Sequence, residues 1–520
     1  MNRLEMLNRV LDRTEPWDLV IIGGGATGVG CAVDAASRGY EVLLLEQSDF
    51  GKGTSSRSTK LVHGGVHYLE QGNISLVIEA LRERGLLRQN APHLVADLAF
   101  VVPSYDWWAS PFYGLGLKMY DVLAGKYGFG PSQILSREET LARLPTIEPE
   151  GLRGGIVYYD GQFDDTRLLI NLAQTAADQG ATLLNYAPVT GLTKGADDLV
   201  NGVEAQDAET GRPLHARAKV VINATGPFSD SVRRMADPTV ANMISPSQGV
   251  HLVFDRSFLP GNSAIMVPHT SDGRVMFAIP WNLHTVVGTT DTPITDPSLE
   301  PRPFPEEIDF ILETAGRYLH KAPTRADVLS VFVGIRPLVG SGHAGNTASI
   351  SRDHTIHIDG SGLLSIAGGK WTTYRRMAED CINQAAILAE LPEKPAVTAH
   401  LNIHGFHKHA GKFKNLASYG SDSVAIQYLI RNDPSLGEVL HPELIYCGAE
   451  VIWAARVEMA RTVEDVLARR TRALFLNAQA ASAMAPLVAA LMARELQRDE
   501  TWQSQQVRDF QELASNYQLS

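Results

Sequence analysis

Three glycines at GxGxxG spacing, Gly23, Gly25 and Gly28, stand in VIIGGGATGVG, between an apolar run and a helical pattern. In that setting the first glycine permits a tight turn, the second lets backbone approach a pyrophosphate, and the third lets the helix pack on the strand. A helix N-terminus there offers unpaired N–H groups and a positive dipole to phosphates. Glu46 ends the next apolar run, 18 residues beyond Gly28, where a carboxylate meets ribose hydroxyls. The unit suits NAD or FAD, and three segments C-terminal to it favour FAD. The segment TSSRSTKLVHGGVHYLE (54–70) carries hydroxyls, glycines, Lys60 and His63, donors suited to a pyrophosphate and a ribityl chain. VVINATGPFSD (220–230) ends a strand pattern in Thr225 and Gly226. GGKWTTYRRMAED (368–380) turns from strand to helix near Thr372. A helix N-terminus aimed at a flavin carbonyl would stabilise the charge of reduced flavin.

A second group of residues suits an anionic substrate. Arg336 in VGIRPLVG and Arg352 in SISRDHT lie beside apolar strand patterns. A phosphate needs cationic, multidentate donors, and an arginine between Ile335 and Pro337 is costly to bury without an anion. A structural ion pair is the competing reading, more so for Arg352. His251 in SQGVHLVF alternates with apolar residues, the pattern of a satisfied core histidine.

These residues need a scaffold. DLVIIG, ATGVGCAVDAASRG and EVLLLE (residues 18–46) read as one βαβ unit, its strands apolar throughout as in a parallel sheet buried on both faces. TRLLINLAQTAADQG reads as a helix. ATLLNY, AKVVINATG, GVHLVFD, HTVVGTTD and GLLSIAGG read as strands. Residues 391–412, with prolines, glycines and little periodicity, read as a linker. Residues 413–520 read as mostly helical, VEDVLARRTRALFL and APLVAALMARELQ most clearly.

At 520 residues the chain is too long for one core. Its composition, 44% hydrophobic and 20% charged, is ordinary globular, and 46 basic against 58 acidic residues give a net charge of −12, which argues against a nucleic-acid binder. Cys31, Cys381 and Cys447 have neither the number nor the spacing for a disulfide framework or a thiolate zinc site, so no metal is expected and a reducing compartment fits. The polar N-terminal residues contain no signal-peptide core, and no apolar run is long enough to span a membrane. YDWWASPFYGLGLKMYDVLAG (105–125) concentrates Trp107, Trp108, Phe112, Tyr113 and Tyr120 among few charges. It suits either a bilayer interface or a buried helix.

The ordered set GGGATG, TSSRSTKLVHGG, NATGP, GTTD, IRPL, SRD and GGKWTTYR resembles the flavin-linked glycerol-3-phosphate dehydrogenases over residues 18–385, and TVEDVLARRTRALFLNA (462–478) resembles their cap. The resemblance implies a glutathione-reductase-type α/β fold: an FAD-binding Rossmann-like domain with an interleaved substrate domain of antiparallel sheet (1–390), the linker, and a helical cap (413–520). It implies FAD, oxidation of sn-glycerol 3-phosphate to dihydroxyacetone phosphate, and quinone as acceptor. Oxygen as acceptor, or another small anionic alcohol or amine as substrate, are the alternatives. It implies a cytoplasmic protein attached peripherally to the inner face of the membrane, and leaves a homodimer open. Residue by residue, it places Gly23, Gly25, Gly28 and Glu46 in the FAD fingerprint and Ser55, Ser56, Lys60, His63 and Gly64 in the second flavin loop. Thr225, Gly226, Gly369, Lys370 and Thr372 fall in later flavin-contacting segments. His251 and Arg336 would be catalytic, with Arg336, Arg352 and Lys370 on the substrate. One position departs: His67 stands in HGGVHYLE where the family commonly has arginine. At neutral pH that exchanges a permanent charge for a titratable one, which predicts weaker phosphate binding.

Overall fold

The computed structural model describes residues 1–65, 73–106, 109–268, 270, 273–340 and 353–519. His67, Arg352, Trp107 and Trp108 lie outside the described residues.

The strand Trp17–Ile22 lies at the middle of the first sheet, paired in parallel with Val42–Leu45 on one side and Pro213–Asn223 on the other. Leu364–Gly368 and Thr182–Leu184 extend this parallel set. Leu19, Val20 and Ile21 are fully buried, as their uninterrupted apolar run requires of a parallel strand covered on both faces. The helix Ala26–Ser37 packs on the helices Asp165–Asp178 and Tyr374–Leu388, so the glycine turn, the NATG turn and the GGK turn all emerge at the same, C-terminal, edge of parallel strands.

The second sheet is mainly antiparallel. Its long strand Ile244–Asp255 pairs with Val328–Val339 on one side and His284–Gly288 on the other. The register sets His251 opposite both Phe332 and Gly288, and Ser247 opposite Arg336. Two residues far apart in sequence, His251 and Arg336, are thereby fixed on neighbouring strands.

The C-terminal region is helical, built on Gly448–Val457, Ala478–Leu496 and Glu500–Ser515. Asn477 starts the long helix by accepting from Ala480 N at 3.0 Å. VEDVLARRTRALFL departs from the single helix predicted. Asp465–Arg470 forms a π-turn, Arg472 takes φ 64°, and a short helix Ala473–Leu476 follows. The reason is electrostatic: Arg469 and Arg470 reach Asp49 at 2.5 and 2.6 Å, and Arg472 reaches Asp165 at 3.3 Å. A regular helix could not send three near-consecutive arginines the same way.

Residues 391–412 are irregular, as Pro392 and Pro395 require, but they are not a free tether. Tyr40 Oη donates to Pro392 O at 2.7 Å, Asn90 Nδ2 to Thr398 O at 3.2 Å, and Ile403 N to Asn90 O at 3.0 Å. The segment ends in an ionic staple. His404 Nδ1 lies 2.6 Å from Asp178, at the end of its helix, and Nε2 lies 3.0 Å from Asp422, where the cap begins. Burial opposes the imidazolium, but the two carboxylates outweigh it and raise its pKa to about 9. The unfolded value is about 6.5. The staple's contribution is therefore complete below about pH 6.5 and disappears as pH rises through about 9. Because Asp178 is half exposed, the effect after screening is about 1–2 kcal/mol. His404→Gln should lower Tm at pH 6.5 and leave it nearly unchanged at pH 9.5; equal losses at both pH values would show that packing, not charge, is what His404 supplies.

Candidate active site

A cleft of about 350 Å³ runs over the C-terminal edge of the parallel sheet. Gly23 has φ +112°, and a Cβ there would stand 2.7 Å from Ala224 O. Gly25 caps the helix Ala26–Ser37 and lines the cleft. Gly28 does not line it. A Cβ on Gly28 would stand 1.9 Å from Gly23 O, so its role is to let the helix seat on the turn. Glu46 Oε2 accepts from Gly24 N at 2.6 Å and Oε1 from Ser48 N at 2.8 Å. Burial raises its pKa and these amides oppose the rise. Ser55 Oγ accepts from Ala26 N at 2.9 Å, and Thr225, Gly226, Gly369 and Lys370 complete the lining with Ser55.

These residues fit FAD. The wall is backbone at Gly53 and Gly226, where an added Cβ would meet nothing within 4 Å, so a ligand can approach closely. The N-terminus of the helix Ala26–Ser37 lines the cleft and would take the diphosphate, and Glu46, just past the second strand, would take ribose hydroxyls.

A second cavity of about 390 Å³ adjoins the first and shares Thr54, Lys370 and Trp371 with it. His63, His251, Arg274, Arg336 and Thr372 line it. Thr54 Oγ1 donates to Ile335 O at 2.6 Å, and Trp371 Nε1 to Ser55 O at 2.9 Å, which ties the nucleotide loop to the substrate sheet and to the GGK turn. His251 Nε2 lies 2.9 Å from Thr59 Oγ1, and its ring stacks on Phe332 at 4.8 Å and 10°. Burial first, then the charges of Lys60 and Arg336, hold His251 well below the ordinary histidine value, so it is a neutral imidazole. Gly288 makes room for it: a Cβ there would stand 2.5 Å from His251 Cδ2. Arg336 is held over Gly249 by Thr290 O at 3.0 Å and Asp291 at 3.3 Å.

Three residues assigned to the cofactor by sequence lie elsewhere. Lys60 is fully buried and pairs with Asp165 at 2.7 Å. A buried amine keeps its proton most readily beside a buried carboxylate, and Asp165 supplies one. Ser56 is buried, with Oγ donating to Gly53 O. Gly64 lines neither cavity; its N–H donates to Tyr120 Oη at 2.8 Å, and a Cβ would strike that oxygen. His63 and Thr372 face the second cavity and join where His63 N donates to Thr372 Oγ1 at 3.2 Å. Arg274 and Asp291 are not among the residues the sequence singles out. Arg274 Nη1 donates to Asp291 O at 2.6 Å, adding a second cation to the Arg336 wall. A signal exists: Arg274 follows the turn glycine Gly273 and opens the strand pattern VMFAIPW.

The family described as FAD dependent oxidoreductase matches residues 18–375, and the C-terminal domain of alpha-glycerophosphate oxidase matches residues 362–503. The mitochondrial glycerol-3-phosphate dehydrogenase of Rattus norvegicus is 43% identical over 94% of this chain and 72% of its own length. The chain belongs to the FAD-dependent glycerol-3-phosphate dehydrogenase family. The mitochondrial member from Arabidopsis thaliana is 40% identical, over 98% of this chain and 87% of its own length. Among solved structures, the family's glycerol-3-phosphate dehydrogenase from Bacillus halodurans, complexed with FAD, superposes with a TM-score of 0.81 at 30% identity, covering 99% of this chain and 97% of that one. The L-alpha-glycerophosphate oxidase of Mycoplasma pneumoniae shares the fold, with a TM-score of 0.57 at 17% identity over 75% of this chain.

Proposed function

We propose that this chain oxidises sn-glycerol 3-phosphate at C2 to dihydroxyacetone phosphate, with quinone as the eventual acceptor. The observation that carries the reading is the junction of the two cavities at Lys370 and Trp371: a dinucleotide cleft opens there onto a chamber walled by Arg274, Arg336 and a neutral histidine. The relatives' names agree with its substrate.

FAD, when bound, supplies the acceptor for a hydride leaving C2. Arg336 and Lys370 draw the substrate anion to the junction and face the charge that develops on its oxygen. With Nε2–H donating to Thr59 Oγ1, the His251 ring is fixed with its lone pair on Nδ1, and the imidazole takes the hydroxyl proton there. The cationic surroundings that keep this histidine neutral are offset once a phosphate dianion binds, so its proton affinity rises when a proton must be accepted. Anaerobic glycerol 3-phosphate should bleach the flavin absorbance of the purified protein, and a quinone analogue should restore it faster than oxygen does. Flavin that glycerol 3-phosphate never reduces would overturn the substrate assignment; faster recovery with oxygen would make the protein an oxidase.

The location proposed with this function is the inner face of the cytoplasmic membrane. The helix Ala109–Ala124 buries Leu117, Tyr120 and Ala124 and exposes Met119 and Val122, beside the exposed Ile74 and Ile78 of the neighbouring helix Ile74–Asn90. The described part of the segment thus has a packed face and an outer side on which Met119 and Val122 stand with Lys118. Val122→Glu with Ile78→Glu should move the protein from the membrane fraction to the soluble fraction with its flavin retained; an unchanged partition would place the attachment elsewhere.

A further inference from the structure

Of the buried charge clusters that the mechanism leaves unused, one lies next to the reacting histidine. Beneath the His251–Phe332 stack lie Lys60, Asp165 and Arg472, each with a side chain no more than 1% exposed. Lys60 Nζ donates to Asp165 Oδ2 at 2.7 Å and to Ser56 O at 2.8 Å. Arg472 Nη2 reaches Asp165 Oδ1 at 3.3 Å and donates to Ser56 O at 2.6 Å, while Nη1 donates to Thr166 Oγ1 at 2.7 Å. Ser58 Oγ donates to the same Asp165 oxygen as Lys60, at 2.7 Å. Both cations sit on left-handed backbone, φ 64° in each, a conformation unfavourable for a non-glycine residue that persists where the surroundings over-determine it.

The cluster is coupled to the reacting histidine by contact. Lys60 directly follows Thr59, whose hydroxyl holds His251 Nε2 at 2.9 Å. Lys60 Nζ also sits 4.9 Å from the centre of Phe332, the ring on which His251 stacks, and 5.5 Å from Phe475. Phe475 packs against Phe332 at 5.0 Å and beneath the Arg472 guanidinium at 4.2 Å. The C-terminal region therefore packs behind the active-site histidine, through Phe475 on Phe332, without lining either cavity, and its broken helix at Arg472 is what brings it there.

We propose that Lys60, Asp165 and Arg472 are positioning residues that keep His251 a neutral base by holding one net positive charge beneath it. The inference rests on His251 being the proton acceptor. Burial comes first in keeping His251 neutral, and the cluster adds to it: of the facing charges, Lys60 and Arg336 oppose protonation and Asp165 favours it, while Arg472 acts through Asp165, which it reaches at 3.3 Å. Lys60 carries its charge where it matters. Burial lowers its pKa and Asp165 opposes the fall, leaving it at about 7, so it is largely protonated at any pH low enough to protonate His251. Asp165, held below the usual carboxylate range despite burial, stays ionised over the same interval. Removing the ammonium leaves Asp165 balanced by Arg472 alone, and His251 then protonates at higher pH.

The test is the pH dependence of flavin reduction by glycerol 3-phosphate in single turnover, between pH 5 and 9, on FAD-loaded protein. Lys60→Gln should move the acid limb upward by about one pH unit, and Lys60→Arg, which keeps the charge, should leave it in place. Arg472→Met should move it the same way as Lys60→Gln. An acid limb unmoved in Lys60→Gln, or moved equally in Lys60→Arg, overturns the inference. If Lys60→Gln does not fold, the Arg472→Met profile decides alone. His251→Ala, run beside them, separates the two readings: if it reduces flavin as fast as the parent, the base assignment falls, whereas a crippled His251→Ala with an unmoved Lys60→Gln limb removes only the cluster's role.

Discussion

His251→Ala should slow flavin reduction by glycerol 3-phosphate about 10²–10⁴-fold, the range for a positioned general base, with FAD still bound. His251 sits in the second cavity and not in the nucleotide cleft, so flavin content and the visible spectrum should be unchanged. The parent's pH profile supplies the sign. Burial, Lys60 and Arg336 all push the His251 pKa below 6.5, so the imidazole stays in its basic form from about pH 6.5 upward. The parent rate should be flat there and fall only in more acidic solution, and His251→Ala should lose that acid limb along with the rate. A deuterium label at C2 should slow the parent's single-turnover reduction if hydride transfer limits it. Reduction at the parent rate in His251→Ala would remove this residue from the proton transfer, and Thr59 and the Phe332 stack would then be ordinary packing.

The nucleotide half of this site is legible in the sequence because its chemistry is local. Gly23, Gly25, Gly28 and Glu46 sit within one βαβ unit, where spacing alone determines what each meets. The substrate half is non-local. His251 meets Arg336 through a strand register that pairs residues far apart in the chain, and alternation in GVHLVFD shows a strand without showing its neighbour. Lys60 illustrates a different loss. Its loop stands out, but a lysine among hydroxyls reads as a phosphate ligand until Asp165, 105 residues later, is known to pair with it. The cap's helices are legible where periodicity is undisturbed, as in Ala478–Leu496. They are not at Asp465–Leu476, where ion pairs to Asp49 and Asp165 override propensity. The first helix, Arg3–Leu11, hides in polar sequence, although Met6, Leu7 and Val10 mark the buried stripe that docks it.

Arg336→Met should lower kcat/KM for glycerol 3-phosphate by about 10²–10³, the loss expected when a preorganised donor to a developing oxyanion is removed. The geometry that supports this is specific. Gly249 leaves the space the guanidinium fills, since a Cβ there would stand 2.6 Å from Nη2. Thr290 O and Asp291 hold Nη2 and Nη1 from one side, and Asp291 is itself held by the Ser247 hydroxyl. The fork is therefore fixed before substrate arrives, with no reorganisation to be made in the transition state. Both kcat and KM should suffer, because the same cation draws the anion in and faces its charge as C2 is oxidised. Arg336→Lys restores the charge without the planar fork, and should recover KM more fully than kcat. A KM increase alone in Arg336→Met, with kcat intact, would make Arg336 an anchor that binds substrate and transition state equally. The developing charge would then fall to Lys370, which lines both cavities.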